Sequence, residues 1–349
     1  MKRFKLVGSR VVKTGVAIFI TAWICVLLNW PPVFAVITAI VTIEPTVSDS
    51  IKKGIVRFPA SAIGSAYAVL FISLFGNSPL TYTLAAVFTI TTCFRLKLHA
   101  GLVVATLTSV AMVEVIHTNV LISFFIRLGT TTIGLVVSTA VNLFVLPPDY
   151  TKEISKKLQA VANKIGVTIE KSFQDIFRDG HRDNEIEQER DDQLAKMIRR
   201  AEILIQFQKE ETKYHPLVGS EKTQFRDLQN QLLRLQQIHY HIGNLNYSLF
   251  KTTKLSATER AVILNAVSDL AQSLKQPDTY EEQKHNRHLN QLTDIFWADN
   301  EEIIENQQHP NRFPPDLIIL YELVSIYNLV GRYYKKPHSM AAFSTNKKE

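Results

Sequence analysis

Two ionisable side chains interrupt apolar runs in the first half of the chain, and both are of types that can bind or steer a charged ligand. Glu114 lies near the end of one run and Arg127 near the start of the next. A charge in hydrocarbon is costly unless it faces a cavity, has a partner or reaches the interface. Arg127 is therefore a candidate for attracting an anion, and the two side chains could pair or line a polar opening. The alternatives are that Arg127 extends to the membrane surface and that Glu114 is an ordinary interfacial carboxylate.

A second candidate group surrounds the sequence Glu44-Pro45. Proline disfavours the helical conformation of the residue before it, so an apolar helix that reaches Glu44 should end there. The carboxylate would then lie close to Lys52, Lys53 and Arg57. Glu44 either anchors this basic loop as a structural ion-pair partner or gates an opening at this end of the helices.

No motif in the chain indicates catalysis, a cofactor or a metal. The segment "VGSEKT" at 218–223 lacks the first glycine and the spacing of a phosphate-binding loop. Cys25 and Cys93 are isolated within apolar runs, and the histidines of "HYH" (239–241) and "HNRH" (285–288) lack companion ligands. We therefore expect neither an enzyme nor a metalloprotein.

Charge is distributed unevenly along the 349 residues. Of the 39 Lys and Arg and 32 Asp and Glu in the chain, residues 1–148 carry only 14 charged residues, 11 of them basic. The whole net charge of +7 therefore comes from the apolar half. Basic residues that flank apolar runs are typical of membrane topology, and no motif of a nucleic-acid-binding protein is present.

The apolar half predicts six transmembrane helices. Residues 14–43 and 58–94 contain no charged residue, and the turn signals "NWPP" and "GNSP" divide each of these runs into a helical hairpin. Two further runs follow, interrupted only by the two ionisable residues described above. The predicted spans are 10–29, 32–44, 56–75, 79–95, 98–116 and 121–146.

The distribution of Lys and Arg predicts the orientation of these spans. Basic residues occur in the N-terminal segment, in the second and fourth loops and after the sixth span, whereas the first, third and fifth loops have none. Because cytoplasmic loops are rich in Lys and Arg, both ends of the six-span domain should be cytoplasmic. Arg57 and Arg95 in these loops could also concentrate anions at an entrance.

Helical periodicity dominates the second half. Segments such as 151–177 and 225–250 have apolar residues at helical spacing with charged residues between them, and no segment alternates as a strand would. The sequence therefore predicts an all-α protein: a six-helix transmembrane domain, 1–148, a cytoplasmic helical bundle, 149–337, and a disordered tail, 338–349. In the third span, Ala60, Gly64 and Ala68 predict a face where another helix approaches closely.

The segment "WPPVFAVITAIVTIEPTVSDSIKKGIVR" at 30–57 resembles the second-span signature of the aromatic acid exporter and fusaric-acid-resistance transporters. "FAVITA", the following Glu-Pro-Thr, Gly54 and Arg57 carry the resemblance, and "VNLFVLPP" at 141–148 is similar to the way these membrane domains end. One departure is that Pro59 and Ala60 stand where relatives often have glycine. The plant aluminium-activated malate channels are more distantly similar.

The resemblance implies a multi-pass plasma-membrane exporter of organic anions, with aromatic carboxylates as substrates and a gradient as the energy source. It also implies a homo-oligomer in contact with membrane lipid. Two alternatives stay open at this point. One is an organic-anion channel, and the other is a membrane-anchored helical scaffold without transport activity.

Overall fold

The computed structural model of the chain describes residues 8–115, 120–177, 184–247, 255–305 and 314–335. These residues form twelve α-helices and two short 3-10 helices, with no strand among them. The predicted all-α fold class is confirmed for this part of the chain. The tail predicted to be disordered, 338–349, lies outside the described residues.

The chain divides into two compact units. The first contains the described parts of Met1–Asp149 together with Phe207–Pro216, and the second contains the described parts of Tyr150–Gln206 and Leu217–Glu349. A short segment from the second half of the sequence thus belongs to the first unit, which the sequence analysis did not anticipate.

Six α-helices and one 3-10 helix make up most of the first unit. They are α1 (Ser9–Leu27), α2 (Pro32–Thr42), α3 (Val47–Phe75), α4 (Pro79–Arg95), a 3-10 turn (His99–Gly101), α5 (Leu102–Val115) and α6 (Val120–Phe144). Proline occupies the first turn of α2 and of α4, where a missing N–H costs no helical hydrogen bond. Helix α3 packs against α4, α5 and α6, and α2 packs against α1 and α6.

Helix α3 begins at Val47, nine residues before the predicted start of the third span at 56. The side chain of Thr46 caps the helix by accepting a hydrogen bond of 3.1 Å from the backbone N–H of Asp49. The helix also continues through Pro59, which lies in its interior. The predicted span 56–75 lies within this longer helix, and Lys52, Lys53 and Arg57, which the sequence analysis assigned to a loop, lie in its first part.

The first unit has an apolar surface and a polar interior. Large apolar side chains are exposed, among them Phe19 (67%), Leu74 (63%) and Phe144 (77%), whereas Ser61 and Ser65 are fully buried. A protein in water has the opposite distribution, and helices in lipid bring small and polar residues to their contacts. This unit therefore has the surface of a membrane protein.

Three helices are long and apolar enough to cross a membrane by length and composition. They are Ser9–Leu27, Val47–Phe75 and Leu121–Phe144, and the shorter apolar helical stretches are Pro32–Thr42 and His99–Glu114. Helix α4 has 17 residues. The number of spans, predicted as six, therefore stays a prediction.

The second unit is a helical bundle with an ordinary apolar core. Its helices are α7 (Thr151–Phe177), most of α8 (Asn184–Glu211), α9 (Ser220–Tyr247), α10 (Ala257–Lys275), a 3-10 turn (Pro277–Thr279), α11 (Glu282–Glu305) and α12 (Pro315–Tyr334). Helix α7 packs against α9 and α10, and α12 packs against α9 and α11. Ile165, Phe173, Leu235 and Tyr327 are fully buried in this core, as in a bundle that folds in water.

The predicted small-residue face of α3 is confirmed. Ala60 and Ala68 are fully buried. A methyl group added to Gly64 would lie 2.3 Å from the backbone oxygen of Ala105 on α5. Close approach of α3 and α5 therefore requires glycine at position 64.

We expect Gly64→Ala to destabilise the protein by about 1–3 kcal/mol, because the two helices must move apart to admit the methyl group. Thermal unfolding in detergent, followed by tryptophan fluorescence, measures this effect. Gly15→Ala is the matched control, since the added methyl group would contact nothing within 4 Å; alanine in that helix should be neutral or stabilise by up to about 1 kcal/mol. Equal midpoints for the two variants would contradict the assignment.

Candidate functional site

A line of buried polar side chains runs along one face of α6. We call Arg127, Thr131, Ser138 and Asn142 the polar stripe; their exposed fractions are 4%, 0%, 0% and 0%. Successive members are four, seven and four residues apart, which keeps them on one face of a helix. At 1.5 Å per residue the stripe is about 22 Å long, which is most of the thickness of a bilayer core.

Side chains from two other helices join the stripe near its Arg127 end. The hydroxyl of Ser61 on α3 lies 3.3 Å from Oγ1 of Thr131 and 3.4 Å from Oγ1 of Thr108 on α5. Ser61 is four residues after Arg57, so both lie on the same face of α3. Polar groups from α3, α5 and α6 therefore meet inside the unit.

The hydroxyls of the stripe donate back to their own helix. Thr131 donates to the carbonyl oxygen of Arg127 at 2.9 Å, and Ser138 bonds the carbonyl oxygen of Gly134 at 2.6 Å. Thr130 also donates to the carbonyl oxygen of Arg127 at 2.9 Å. These bonds satisfy the hydroxyl protons within the helix, as is common for Ser and Thr in apolar helices.

Arg127 is a buried cation that lacks a carboxylate partner among the described residues. Its Nη2 donates to Oγ1 of Thr108, and its Cζ lies 4.1 Å from the centre of the Phe34 ring, a cation–π contact. Its Nε and Nη1 are buried and have no hydrogen-bond partner in the described part of the chain. The guanidinium therefore has unused donors at a buried position, which is costly unless they find a partner.

This arrangement suits a planar anion. A guanidinium forms strong charge-assisted hydrogen bonds with a carboxylate, and Nε and Nη1 of Arg127 are each free to donate one. The ring of Phe34 adds an aromatic surface beside the same group. An aromatic carboxylate could use both features.

Glu114 lies apart from this site. Its Oε1 accepts a hydrogen bond of 3.0 Å from the hydroxyl of Tyr82, and the side chain is exposed. The structure thus contains a Glu114–Tyr82 hydrogen bond in place of the Glu114–Arg127 pair that the sequence allowed. Whether Glu114 contributes to a pathway stays a prediction.

The residues around Glu44 form a compact ion-pair cluster. Oε1 of Glu44 lies 2.7 Å from Nη2 of Arg57, and Oε2 lies 2.9 Å from Nζ of Lys53. The Glu44 and Arg57 side chains are 13% and 7% exposed. Nε of Arg57 also donates to the carbonyl oxygen of Ala100 at 3.2 Å. Glu44 and Arg57 are therefore mutually neutralised and held in place.

Asn142 joins this cluster to the end of the polar stripe. Its Nδ2 donates to the carbonyl oxygens of Glu44 and Thr46 at 3.2 and 3.3 Å and to Oγ of Ser50 at 2.9 Å. Its Oδ1 accepts from Nζ of Lys13 on α1 at 2.8 Å. Sequence reasoning missed Asn142 and Lys13. The sequence offered one signal for each residue: Asn142 is a polar residue inside an apolar run, and Lys13 is a charged residue at the start of one.

The end of α8, which belongs to the first unit, contacts the same region. Oε2 of Glu211, which is 1% exposed, accepts from the backbone N–H of Val47 at the start of α3 at 3.2 Å. His215 lies 2.8 Å from Oε1 of Glu211 and 3.0 Å from the carbonyl oxygen of Leu143. A carboxylate thus occupies the N-terminus of α3, where the helix dipole favours it.

The remaining predicted residues lie on the periphery. Lys52 is 4.0 Å from Glu210, Arg95, in the last turn of α4, is exposed, and Pro45 is half-buried in the connection between α2 and α3. Among the residues that the structure describes, no three His, Cys, Asp or Glu side chains are grouped so as to hold a metal ion. The predicted candidates therefore fall into a Glu44 cluster, a separate Arg127 site and peripheral positions.

Comparison with known proteins gives one family and several close relatives. Residues 5–145 match a family described as aromatic acid exporter family member 1. A UPF0421 protein of Oceanobacillus iheyensis is 49% identical over 336 residues, which cover 96% of this chain and 97% of the relative. UPF0421 proteins of Bacillus cereus and of Staphylococcus haemolyticus are 40% and 34% identical; the matches cover 95% of this chain in both cases, and 93% and 97% of the relatives.

We expect Glu44→Gln to destabilise the protein by about 3–5 kcal/mol, because it leaves the buried guanidinium of Arg57 without its anionic partner. Thermal unfolding and size-exclusion chromatography in detergent measure the effect. Asp49→Asn is the matched control: Asp49 lies 3.8 Å from the same Lys53 but at a more exposed position, so its loss should change stability by about 1 kcal/mol at most. Normal stability and assembly of Glu44→Gln with altered transport would instead identify Glu44 as a gate.

Proposed function

We propose that this chain, which belongs to the aromatic acid exporter family, exports organic anions across the plasma membrane by a gradient-driven route. Aromatic carboxylates are the proposed substrate class. The family consists of exporters, which supports a transport function and gives no support to an enzymatic one. Membrane lipid surrounds the first unit in this proposal, and the working form is a homo-oligomer.

One observation carries the proposal: the buried guanidinium of Arg127 has two nitrogens without partners in the described part of the chain. An unpaired buried charge lowers stability, so its presence is explained if an anion occupies the site for part of the transport cycle. Phe34 beside the guanidinium supports an aromatic substrate. Thr108 supplies the hydroxyl that fixes the orientation of the side chain.

The polar stripe is the proposed route from this site to the other end of α6. It connects Arg127 through Thr131 and Ser138 to Asn142, beside the Glu44 cluster. All four members are buried, so the described conformation is closed and substrate passage requires the helices around the stripe to separate. We assign Glu44 the role of an anchor for α2 and α3, because both of its oxygens are engaged by cations.

The proposed topology has α1 to α6 crossing the membrane with both ends cytoplasmic. Helices α2 and α5 have 11 and 14 residues and are about 16 and 21 Å long, which is less than a hydrocarbon core of about 30 Å. The extended residues on either side of α2 and the 3-10 turn before α5 would complete these two crossings. The Lys and Arg near the ends of the helices support the orientation.

We expect Arg127→Met to reduce flux of labelled benzoate in proteoliposomes by about 10- to 100-fold, since charge-assisted hydrogen bonds contribute about 1.5–3 kcal/mol. The same variant should unfold at an equal or higher temperature without substrate, because it replaces an unpaired buried charge by an apolar side chain of similar length. Flux under imposed pH and voltage gradients, with thermal unfolding of the same preparation, measures both effects.

Two arginines serve as controls for this experiment. Arg57→Met should lower the unfolding temperature, because Arg57 is paired with Glu44. Arg95→Gln removes an exposed charge and should change flux only modestly and only at low salt. Unchanged flux and salt dependence in Arg127→Met would refute the role of Arg127.

An ionic current without saturation would favour a channel, and no flux of any anion would favour a scaffold.

The topology gives a separate prediction for accessibility from the two sides of the membrane. A cysteine introduced at Asn77, between α3 and α4, should react with an impermeant maleimide added to intact cells, because that loop is extracellular in the six-span arrangement. A cysteine at Lys97, between α4 and α5, should react only after permeabilisation. The native Cys25 and Cys93 are buried and are replaced by serine to remove background. The reverse labelling pattern would contradict the proposed orientation.

A further inference from the structure

A partly open cavity of about 160 Å³ lies in the second unit beside α10, α11 and α12. Its floor contains the buried side chains of His285, His288 and Tyr327. Its rim contains the exposed residues Thr279 and Lys284. A ligand can therefore enter from solvent and reach buried polar groups.

His288 has one ring nitrogen engaged and one without a partner. Its Nε2 lies 2.8 Å from Oδ2 of Asp269. Its Nδ1 is buried and has no hydrogen-bond partner in the described part of the chain, and the residue is only 7% exposed. Because a carboxylate only accepts hydrogen bonds, Nε2 carries a proton, and in the neutral form of the ring Nδ1 is an acceptor that lacks a donor.

The charges around the cavity disfavour an anion. Burial raises the pKa of the Asp269 carboxyl, but hydrogen bonds from Lys284 and His288 outweigh this effect, so the pKa lies below its usual value and Asp269 is ionised. Burial also lowers the pKa of His285, which keeps that ring neutral. Lys284 is already paired with Asp269 at 2.8 Å, and Glu281 adds a further negative charge to the lining.

The size and the aromatic lining of the cavity fit a single ring. Tyr280 lines the cavity and is held by stacking on Tyr334, with ring centres 4.2 Å apart. A cavity of about 150 Å³ is large enough for one benzene ring, and the mostly polar side chains that line this one suit a ring that carries a polar group. The hydroxyls of Ser273 and Thr279 donate to backbone carbonyls, so these two protons are already engaged.

We propose that this cavity binds a small uncharged compound with one aromatic ring and a hydroxyl group, a phenol, whose O–H donates to Nδ1 of His288. Asp269 fixes the tautomer of His288 so that the lone pair of Nδ1 is available to the ligand. Tyr280 supplies a ring surface at the side of the site. The inference does not rest on the proposed transport function, since all of its groups lie in the second unit.

The test is a titration of the full chain in detergent with 4-fluorophenol, observed by fluorine NMR. We expect saturable binding to the wild-type protein and at least tenfold weaker binding to His288→Gln, which can still donate to Asp269 but has no acceptor in the position of Nδ1. His239→Gln is the matched control: His239 also pairs with an aspartate, Asp191, at 2.7 Å but does not line this cavity, so binding should be unchanged. Empty micelles correct for partition of the probe.

Hydrogen exchange of the wild-type protein provides a second measurement, which is independent of how well the His288→Gln variant folds. Phenol should slow exchange in the segment 266–288, and benzoate at the same concentration should not. Equal binding to wild type and His288→Gln, absence of saturation, or equal protection by benzoate would each overturn the proposal. A cavity occupied by water only would show neither saturation nor protection.

Discussion

The side-chain amide of Asn142 is the contact on which one end of the first unit depends. Helix α2 ends at Thr42, and the connection to α3 leaves backbone carbonyls without helical donors. Buried carbonyl oxygens need hydrogen-bond donors, so the protein must supply them. Asn142 donates to the carbonyl oxygens of Glu44 and Thr46 and accepts from Lys13. One buried amide thereby joins α1, α6 and the connection between α2 and α3.

Because the carbonyl oxygens at this end are hydrogen-bonded, the interior of the first unit can contain polar groups while its helices stay intact. The buried hydroxyls of Thr130, Thr131 and Ser138 bond to their own helix. Near Asn142, Arg57 is paired with Glu44, and the buried Lys13 donates to the Asn142 side chain. Arg127 is the exception within the polar stripe, because two of its nitrogens lack partners among the described residues. Elsewhere in the described part of the first unit, Nη1 of Arg57 and the hydroxyls of Thr21 and Thr89 also lack partners, so Arg127 differs from them in having two unsatisfied nitrogens on one buried cation.

Local signals were sufficient to predict most of the helices. Turn residues and prolines delimit α4, which was predicted at 79–95 and is observed at Pro79–Arg95, and periodicity placed α7 at 151–177, where it is observed. The start of α3 at Val47 had a local signal in the cap that Thr46 forms on Asp49, whereas the bond from the N–H of Val47 to Glu211 joins residues 164 apart in sequence and could not be predicted. The role of Asn142 was equally hidden, since its partners are more than 90 residues distant.

The candidate site likewise contains features that could be predicted from the sequence and contacts that could not. The sequence identified Arg127 because a charge within an apolar run is conspicuous, and it placed Glu44 near Lys53 and Arg57 because proline ends the helix. It could not show that Thr108 and Phe34 come from other helices to surround Arg127, or that Glu114 bonds Tyr82. These contacts are set by helix packing, which depends on glycines such as Gly64 and Gly134 that allow backbones to approach.

The hydroxyls that donate to their own helix have a further consequence for the electrical character of the interior. In the described conformation Thr131 and Ser138 turn their protons toward the backbone, so the stripe presents oxygen lone pairs, which repel an anion. Rotation of each hydroxyl hydrogen breaks one hydrogen bond to the backbone, which is worth about 1 kcal/mol. The same hydroxyl can then donate to an anion. Once the helices around it separate, the stripe can thus change from anion-repelling to anion-solvating by rotation of these protons alone. Whether the stripe repels or attracts an anion then depends on the orientation of these hydroxyl protons, which a bound anion can change.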